Sequence, residues 1–206
     1  MSGQQRNKPY SESCEQNREP ILAALELFLP PAGKLLEIGA GTGQHAVYFA
    51  PSFPGIDWYP TDVAENLAGI KLWLEEAAIA NIQPPSVLDL RNPVWPVFQV
   101  DAVFSANTVH IIAWELVEVM FTGIGQVLDK AGVFCLYGPF NYHGRYTSPS
   151  NARFDQWLRQ RDPLSGIRDI DDLCRLAGAS GLRLAEDLEM PVNNRMLIFK
   201  PEVSQP

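Results

Sequence analysis

Between Glu37 and Gly43 the chain reads E-I-G-A-G-T-G, with three glycines on alternate positions, an apolar run before them and a helix-like pattern after them. Glycines belong at a strand-to-helix turn when a ligand must approach the main chain, or when the turn needs φ values that a Cβ penalises. Gly39, Gly41 and Gly43 meet both requirements. Spacing separates the ligand classes. A phosphate loop requires Lys-Ser or Lys-Thr after G-x-x-x-x-G, and none follows here. A dinucleotide loop, G-x-G-x-x-G, would need glycine at position 44, which is Gln44. A tight turn without a ligand would also use glycine, so the loop gains meaning from its neighbours.

Those neighbours carry further chemistry. Asp62 ends "WYPTD" and Asp89 lies in "VLDL". A carboxylate offers two acceptor oxygens to two donors, although Asp62 could instead cap a helix and Asp89 a turn. His110, in "NTVHII", could accept a proton, orient an acceptor or pack. Downstream, "FNYHGRY" sets Asn141, Tyr142, His143, Arg145 and Tyr146 in a segment, residues 140–170, too long and polar for a plain connection. Arg145, Arg153, Arg161 and Arg168 could hold a small anion bidentately, or pair with Asp155, Asp162 and Asp169. Asn193 and Asn194 fit a turn with positive φ, or two amides pointing at a site.

The elements that must position these residues alternate. "NREPILAALELFLP" reads as a helix capped by Asn17, after a loosely ordered polar segment, residues 1–16. "KLLEI", "IDWYPTD", "PSVLDL", "VDAVFSANT" and "GVFCLYGPF" read as strands. Helices in "GQHAVYFAPSF", "VAENLAGIKLWLEEAAIAN" and residues 113–128 alternate with them. The fourth strand, "VDAVFSANT", is apolar without strict alternation, as in a parallel sheet covered on both faces. After residue 140 come a helix in "SNARFDQWLRQR" capped by Ser150, another in "IDDLCRLAGASG", and an antiparallel strand pair joined through Pro-Val-Asn-Asn. Trp58, Trp73, Trp95 and Trp114 read as core or edge aromatics.

Bulk composition narrows the function. The 206 residues suit one domain spanning 1–206, and 46% hydrophobic residues mark a folded chain. A net charge of -8 disfavours a nucleic-acid surface. Cys14, Cys135 and Cys174 have neither disulfide nor zinc spacing, and no metal site is indicated. The polar N-terminus lacks a signal-peptide core, and no run suffices for a membrane span, so a soluble cytoplasmic protein is expected.

The form E-x-G-x-G-x-G, with Asp62, Asp89 and "SANTVHI" after successive strands, resembles the class I methyltransferases that use S-adenosylmethionine. The resemblance implies an α/β Rossmann-like sandwich: a mostly parallel seven-stranded sheet with an antiparallel C-terminal strand and helices on both faces. It also implies cofactor contacts. Glu37, Gly39, Ala40, Gly41 and Gly43 form the loop, Asp62 takes the ribose hydroxyls, and Asp89 takes the adenine amino group with Leu90 packed on the base. Asn107 lies beside the methionine part, and Tyr10, Ser13 and Asn17 lie on an N-terminal segment that orders over the cofactor. Catalytic candidates are His110, Tyr142 and His143; acceptor contacts are Asn141, Arg145, Tyr146 and Asn194. "NREPIL", "LEIGAGTGQHAVYFA", "YGPFNYHGRYTSPSNARFDQWLRQRDPLSGIRD" and "MPVNNRMLIF" are together similar to one small methyltransferase-like family known mainly as a domain of unknown function.

The expected activity is methyl transfer to a small acceptor, an anionic one suiting the arginines, by a monomer or homodimer that engages neither nucleic acid nor membrane. The competing class is an S-adenosylmethionine-binding sensor without catalysis. A nicotinamide-dependent reductase has only fold analogy behind it. A nucleic-acid methyltransferase would want Asn-Pro-Pro-Tyr where this chain reads "ANTVHI".

Overall fold

A computed structural model describes residues 8–95 and 98–202. The first helix, α1 (Glu12–Phe28), begins before the expected cap at Asn17. Ser11 caps it instead, its Oγ accepting from the Cys14 amide, and Glu12 and Glu15 in the first turn favour the positive end of the helix dipole. The polar residues before Asn17 show no apolar period, which is why the start was illegible. Pro20 stands inside the helix, which continues because Ile21, Ala24 and Leu25 are buried behind it. Of the segment expected to be loose, residues 1–7 lie outside the described residues. Residues 8–11 are docked: the Trp73 indole donates to the Pro9 carbonyl (2.6 Å), and the Ser11 amide donates to Gln44 (2.6 Å).

From there the chain alternates through β1 (Gly33–Ile38), α2 (Gln44–Phe49), β2 (Ile56–Asp62), α3 (Leu67–Ala77), β3 (Ser86–Val87), β4 (Val100–Ala106), α4 (Trp114–Val127) and β5 (Leu128–Gly138). Next come β6 (Phe140–Asn141), α5 (Pro149–Arg161), β7 (Arg168–Asp169), α6 (Ile170–Ala179), β8 (Leu182–Met190) and β9 (Asn194–Pro201). Only two of the six residues expected to form the third strand pair, because β3 is the sheet edge and borrows from β2 alone. Ser148, not Ser150, caps α5, since Pro149 takes the first helical position and Ser148 Oγ reaches the Asn151 amide (3.1 Å).

The seven-stranded sheet runs β3-β2-β1-β4-β5-β9-β8. Its first five members pair in parallel, while β9 slips between β5 and β8 and is antiparallel to both. Alternate side chains of each central strand enter opposite cores. Leu36, Val103, Phe134 and Leu197 join α4 and α6 on one face. Leu35, Phe104, Cys135 and Ile198 join α1 and α2 on the other. Both faces are therefore covered, as the unalternating fourth strand required. Strand order reverses between β1 and β4, opening a crevice at their carboxyl ends.

Candidate functional site

The glycine loop lies in that crevice. Gly39, Gly41 and Gly43 all have positive φ (75°, 59° and 89°), a region that L side chains rarely adopt. A Cβ on Gly39 would sit 2.6 Å from Thr108 Oγ1, so the loop after β1 and the loop after β4 press together there. A Cβ on Gly41 would meet nothing within 4 Å, so open space lies on that side of the loop.

Asp62 closes the loop from the end of β2. Its Oδ2 accepts the Gly41 amide at 2.6 Å, and its Oδ1 accepts from Val63 N and Asn66 Nδ2. Glu37 points into the core under α1, where the Trp58 indole donates to it at 2.7 Å. Burial pushes its carboxyl up to about 7, against the pull of Trp58, and the nearby Asp62 charge adds to the rise. Gln44 begins α2 buried; its Oε1 accepts from Ser11 N and Thr42 Oγ1, while its Nε2 has no partner among the described residues. Such a buried, unpaired donor at the loop's exit is costly unless something supplies an acceptor. Asn17 lies on the buried face of α1, its Oδ1 2.8 Å from His45 Nε2. Tyr137 and Asn194 extend this polar seam, the Asn194 amide donating to the Tyr137 hydroxyl at 2.9 Å.

The remaining cofactor candidates are placed differently. Asp89 stands after β3, but its carboxylate is taken by Arg91 through paired hydrogen bonds of 2.8 and 2.7 Å, which hold it below the usual carboxylate range. Leu90 is buried with Leu88 in the α4 core. Asn107 has a left-handed backbone (φ 56°), and its amide donates to the Tyr137 carbonyl.

His110 follows β4 and is 3% exposed. Its Nδ1 has no partner among the described residues, and a Cβ on Gly138 would lie 3.6 Å from it. Phe154 of α5 meets the ring edge to face at 5.5 Å. Burial, joined by the Arg168 charge, pushes the imidazole down to about 4, so it is neutral near pH 7.

Tyr142 and His143 do not join it. The Tyr142 hydroxyl donates to Asp187 (2.7 Å), and His143 is exposed and 2.8 Å from Asp171. Tyr146 donates to Asp155, while Arg145 lies on an exposed turn closed by mutual Tyr142–Arg145 backbone bonds. Asn141, Gly144, Trp114 and Arg175 line a cavity of about 680 Å³ beside α4 and α6, away from the glycine loop.

The pairings expected between Arg145, Arg153, Arg161 or Arg168 and the three aspartates are not found among the described residues. Arg168 donates to backbone carbonyls, Arg161 lies over Trp157, and Asp155 pairs with Arg159 instead. Asp162 and Asp169 accept from backbone amides, Leu164 N for the first, Gly144 N and Asp171 N for the second. Positive φ in the last hairpin falls on Val192 and Asn193, and Asn194 is extended. Sequence reasoning missed Gln44, Tyr137 and Asp155. Only Gln44 left a trace, as the polar first residue of the helix that the glycine loop opens. Among the described residues no cluster could hold a metal, and no helix is long and apolar enough to cross a membrane.

The same fold occurs in solved methyltransferases. Human N-acetylserotonin methyltransferase in complex with SAM is 15% identical with a TM-score of 0.77, covering 93% of this chain and 53% of that one. The S-adenosylmethionine-dependent methyltransferase SibL, in its apo form, is 17% identical with a TM-score of 0.77, over 93% and 56%. CalO1, a methyltransferase of calicheamicin biosynthesis in its SAH-bound form, is 19% identical with a TM-score of 0.70, over 89% and 55%. This chain thus spans about half the length of the solved structures it matches, and at these identities the likeness establishes the class I methyltransferase fold. The family described as "Protein of unknown function (DUF938)" matches residues 8–201, and the chain belongs to it.

Proposed function

We propose that the protein is an S-adenosylmethionine-dependent methyltransferase acting on a small molecule. The observation that carries this reading is the meeting of two loops at the strand-order reversal: Gly39 presses on Thr108 of the loop that follows β4, while Gly41, its amide held by Asp62, has open space where a side chain would stand. The SAM and SAH bound by two of the fold relatives support the choice of cofactor.

The residues present fit that group. Gly39 and Gly41 would let it approach the main chain, Asp62 Oδ2 retains one acceptor site for a hydroxyl, and Gln44 Nε2 is a buried donor without an acceptor among the described residues. Asn17 and the docked segment before it lie beside the same loop through Ser11 and Gln44. When bound, the cofactor supplies an already activated methyl group. What the chain must add is orientation, exclusion of water and, for an acceptor that loses a proton, a base. His110 suits the last role: its imidazole is neutral at physiological pH and packed against Phe154, and its buried Nδ1 has no partner among the described residues. Tyr142 and His143 have their polar atoms engaged elsewhere and are left out of the chemistry. An anionic acceptor would find Arg145 and Arg153, both exposed.

Calorimetry with S-adenosylhomocysteine, and with NADH as control, tests the cofactor. Methyl-deuterated S-adenosylmethionine incubated with pooled metabolites, read by mass spectrometry, tests transfer. Micromolar binding of S-adenosylhomocysteine with a +3 Da product that disappears in His110→Asn is the expected result. Preference for NADH would overturn the reading.

A further inference from the structure

Four consecutive backbone carbonyls of the His110 loop are held by one short stretch of chain. Arg168 Nε donates to Val109 O (2.9 Å), Gly166 N to His110 O (2.9 Å), Ser165 Oγ to Ile111 O (2.6 Å), and the Arg168 terminal nitrogen to Ile112 O. The stretch is itself anchored. Asp155, buried on α5, accepts the Ile167 amide at 2.6 Å, the Tyr146 hydroxyl and the Arg159 guanidinium, both at 2.8 Å. Phe154, next to Asp155, packs on the His110 ring. The same insertion therefore grips the loop by its backbone and the imidazole by its face.

We propose that Ser165–Arg168 form a clasp that holds His110 toward the crevice, with Arg168 as its positioning residue. The proposal rests on the reading of His110 as the acceptor-facing base. Neutral donors would satisfy these carbonyls equally well, so a half-buried guanidinium that meets three carbonyls and no carboxylate within 4 Å among the described residues is an expensive choice for holding a loop alone. Its planar fork reaches Val109 and Ile112, on either side of His110, and the Leu164 carbonyl as well. Its fixed charge also opposes a second positive charge on the imidazole. The charged groups acting on this corner are Arg168 on the ring, and Arg159, Asp155 and Glu115 on Arg168 itself. The guanidinium thus fixes where the ring points and adds to burial in keeping it neutral.

The test is the titration of the His110 ring in the full-length protein by NMR, its signal identified by loss in His110→Asn. In Arg168→Gln the midpoint should rise by about one pH unit, and the ring signal should broaden as the loop samples several positions. Arg168→Lys restores the charge and should return the midpoint toward wild type. Affinity for S-adenosylhomocysteine should stay within about twofold in both, because the clasp does not touch the glycine loop. A lowered melting temperature with unchanged midpoint and line shape in Arg168→Gln would reduce the clasp to a strut and overturn the proposal. Should that variant fail to fold, Ser165→Ala still decides: amide exchange at Ile111 and Gly166 should accelerate about tenfold, and unchanged exchange would sink the clasp. Failure of the wild-type protein to bind S-adenosylhomocysteine would end the methyltransferase reading while leaving the titration result standing.

Discussion

The glycine loop and the insertion after β5 solve opposite problems with the same inventory of polar groups. In the loop, space is left over the main chain: a Cβ on Gly41 would meet nothing within 4 Å, and Gln44 Nε2 has no partner among the described residues. In the insertion most of the buried polar atoms are engaged by the protein itself, with Asn141 Oδ1 the exception among the described residues. Asp155 holds three donors, Arg168 three carbonyls, Tyr142 one carboxylate and Asn151 a hydroxyl and a carbonyl. Unsatisfied buried groups are a reservoir for a ligand, whereas a fully satisfied network rigidifies. The loop is built to receive, and the insertion to hold something still.

The strongest way to break this contrast is Gly39→Val. The substitution forces a β-branched residue to a φ of 75° and drives its Cβ into Thr108, separating the two loops. The left-handed backbone alone costs roughly 1–2 kcal/mol. Affinity for S-adenosylhomocysteine should drop by about 100-fold or more, roughly 3 kcal/mol, as read by calorimetry. Asp155→Ala attacks the other side. It strands the buried Ile167 amide and frees Tyr146 and Arg159, so thermal or urea unfolding should show a loss of about 2–3 kcal/mol. S-adenosylhomocysteine binding should persist. If Asp155→Ala abolished binding and Gly39→Val spared it, the division of labour drawn here would be reversed.

This division also explains what the sequence disclosed. The loop declares itself because positive φ demands glycine, and three glycines at alternate positions survive in the sequence as a pattern. Asp62 is legible for a related reason, since the end of a strand is fixed by its apolar run. The insertion's bonds join residues 109–112 to 164–168 and Asp155 to Tyr146, pairs separated by 9 to 59 positions with no periodicity to betray them. Arginines and aspartates in such a stretch invite pairing by proximity along the chain. The fold chose Arg159 for Asp155 because i,i+4 positions share a helix face. The helix start at Glu12 was hidden likewise: its first turn is polar, and capping by Ser11 leaves no apolar signature.

Buried titrations sharpen the comparison at a smaller scale. His45 and His110 are pushed down to about 4 by burial, while Glu37 is pushed up to about 7. Below pH 6.5 the unfolded chain protonates both histidines and the folded chain refuses, so their stabilising contribution is lost as pH falls toward 4. Glu37 runs the other way. Its contribution is complete below the ordinary 4.5 and is lost as pH rises through about 7. Glu37→Gln keeps an acceptor for the Trp58 indole and removes the ionisation. Its stability should match wild type near pH 4.5 and exceed it at pH 8 by on the order of 2 kcal/mol, measured by urea unfolding at each pH. Equal curves at both pH values would mean that Glu37 is ionised throughout, and that the receiving side carries a buried charge.

His143→Gly has the smallest expected effect and probes the border of the holding side. The histidine has a left-handed backbone (φ 52°), so glycine relieves a strain of about 1 kcal/mol or less. Against that stands an exposed contact with Asp171, of a kind that contributes between nothing and about 1 kcal/mol. The two changes oppose each other, and stability should move by less than about 0.5 kcal/mol. S-adenosylhomocysteine affinity should not move at all, because no bond connects this turn to the glycine loop. The measurement is informative because the imidazole is so exposed. Were methyl transfer to fall in His143→Gly while stability held, the turn would have to reach the acceptor through a movement absent from this arrangement. The insertion would then be a closing element, and the clasp on His110 only one of its positions.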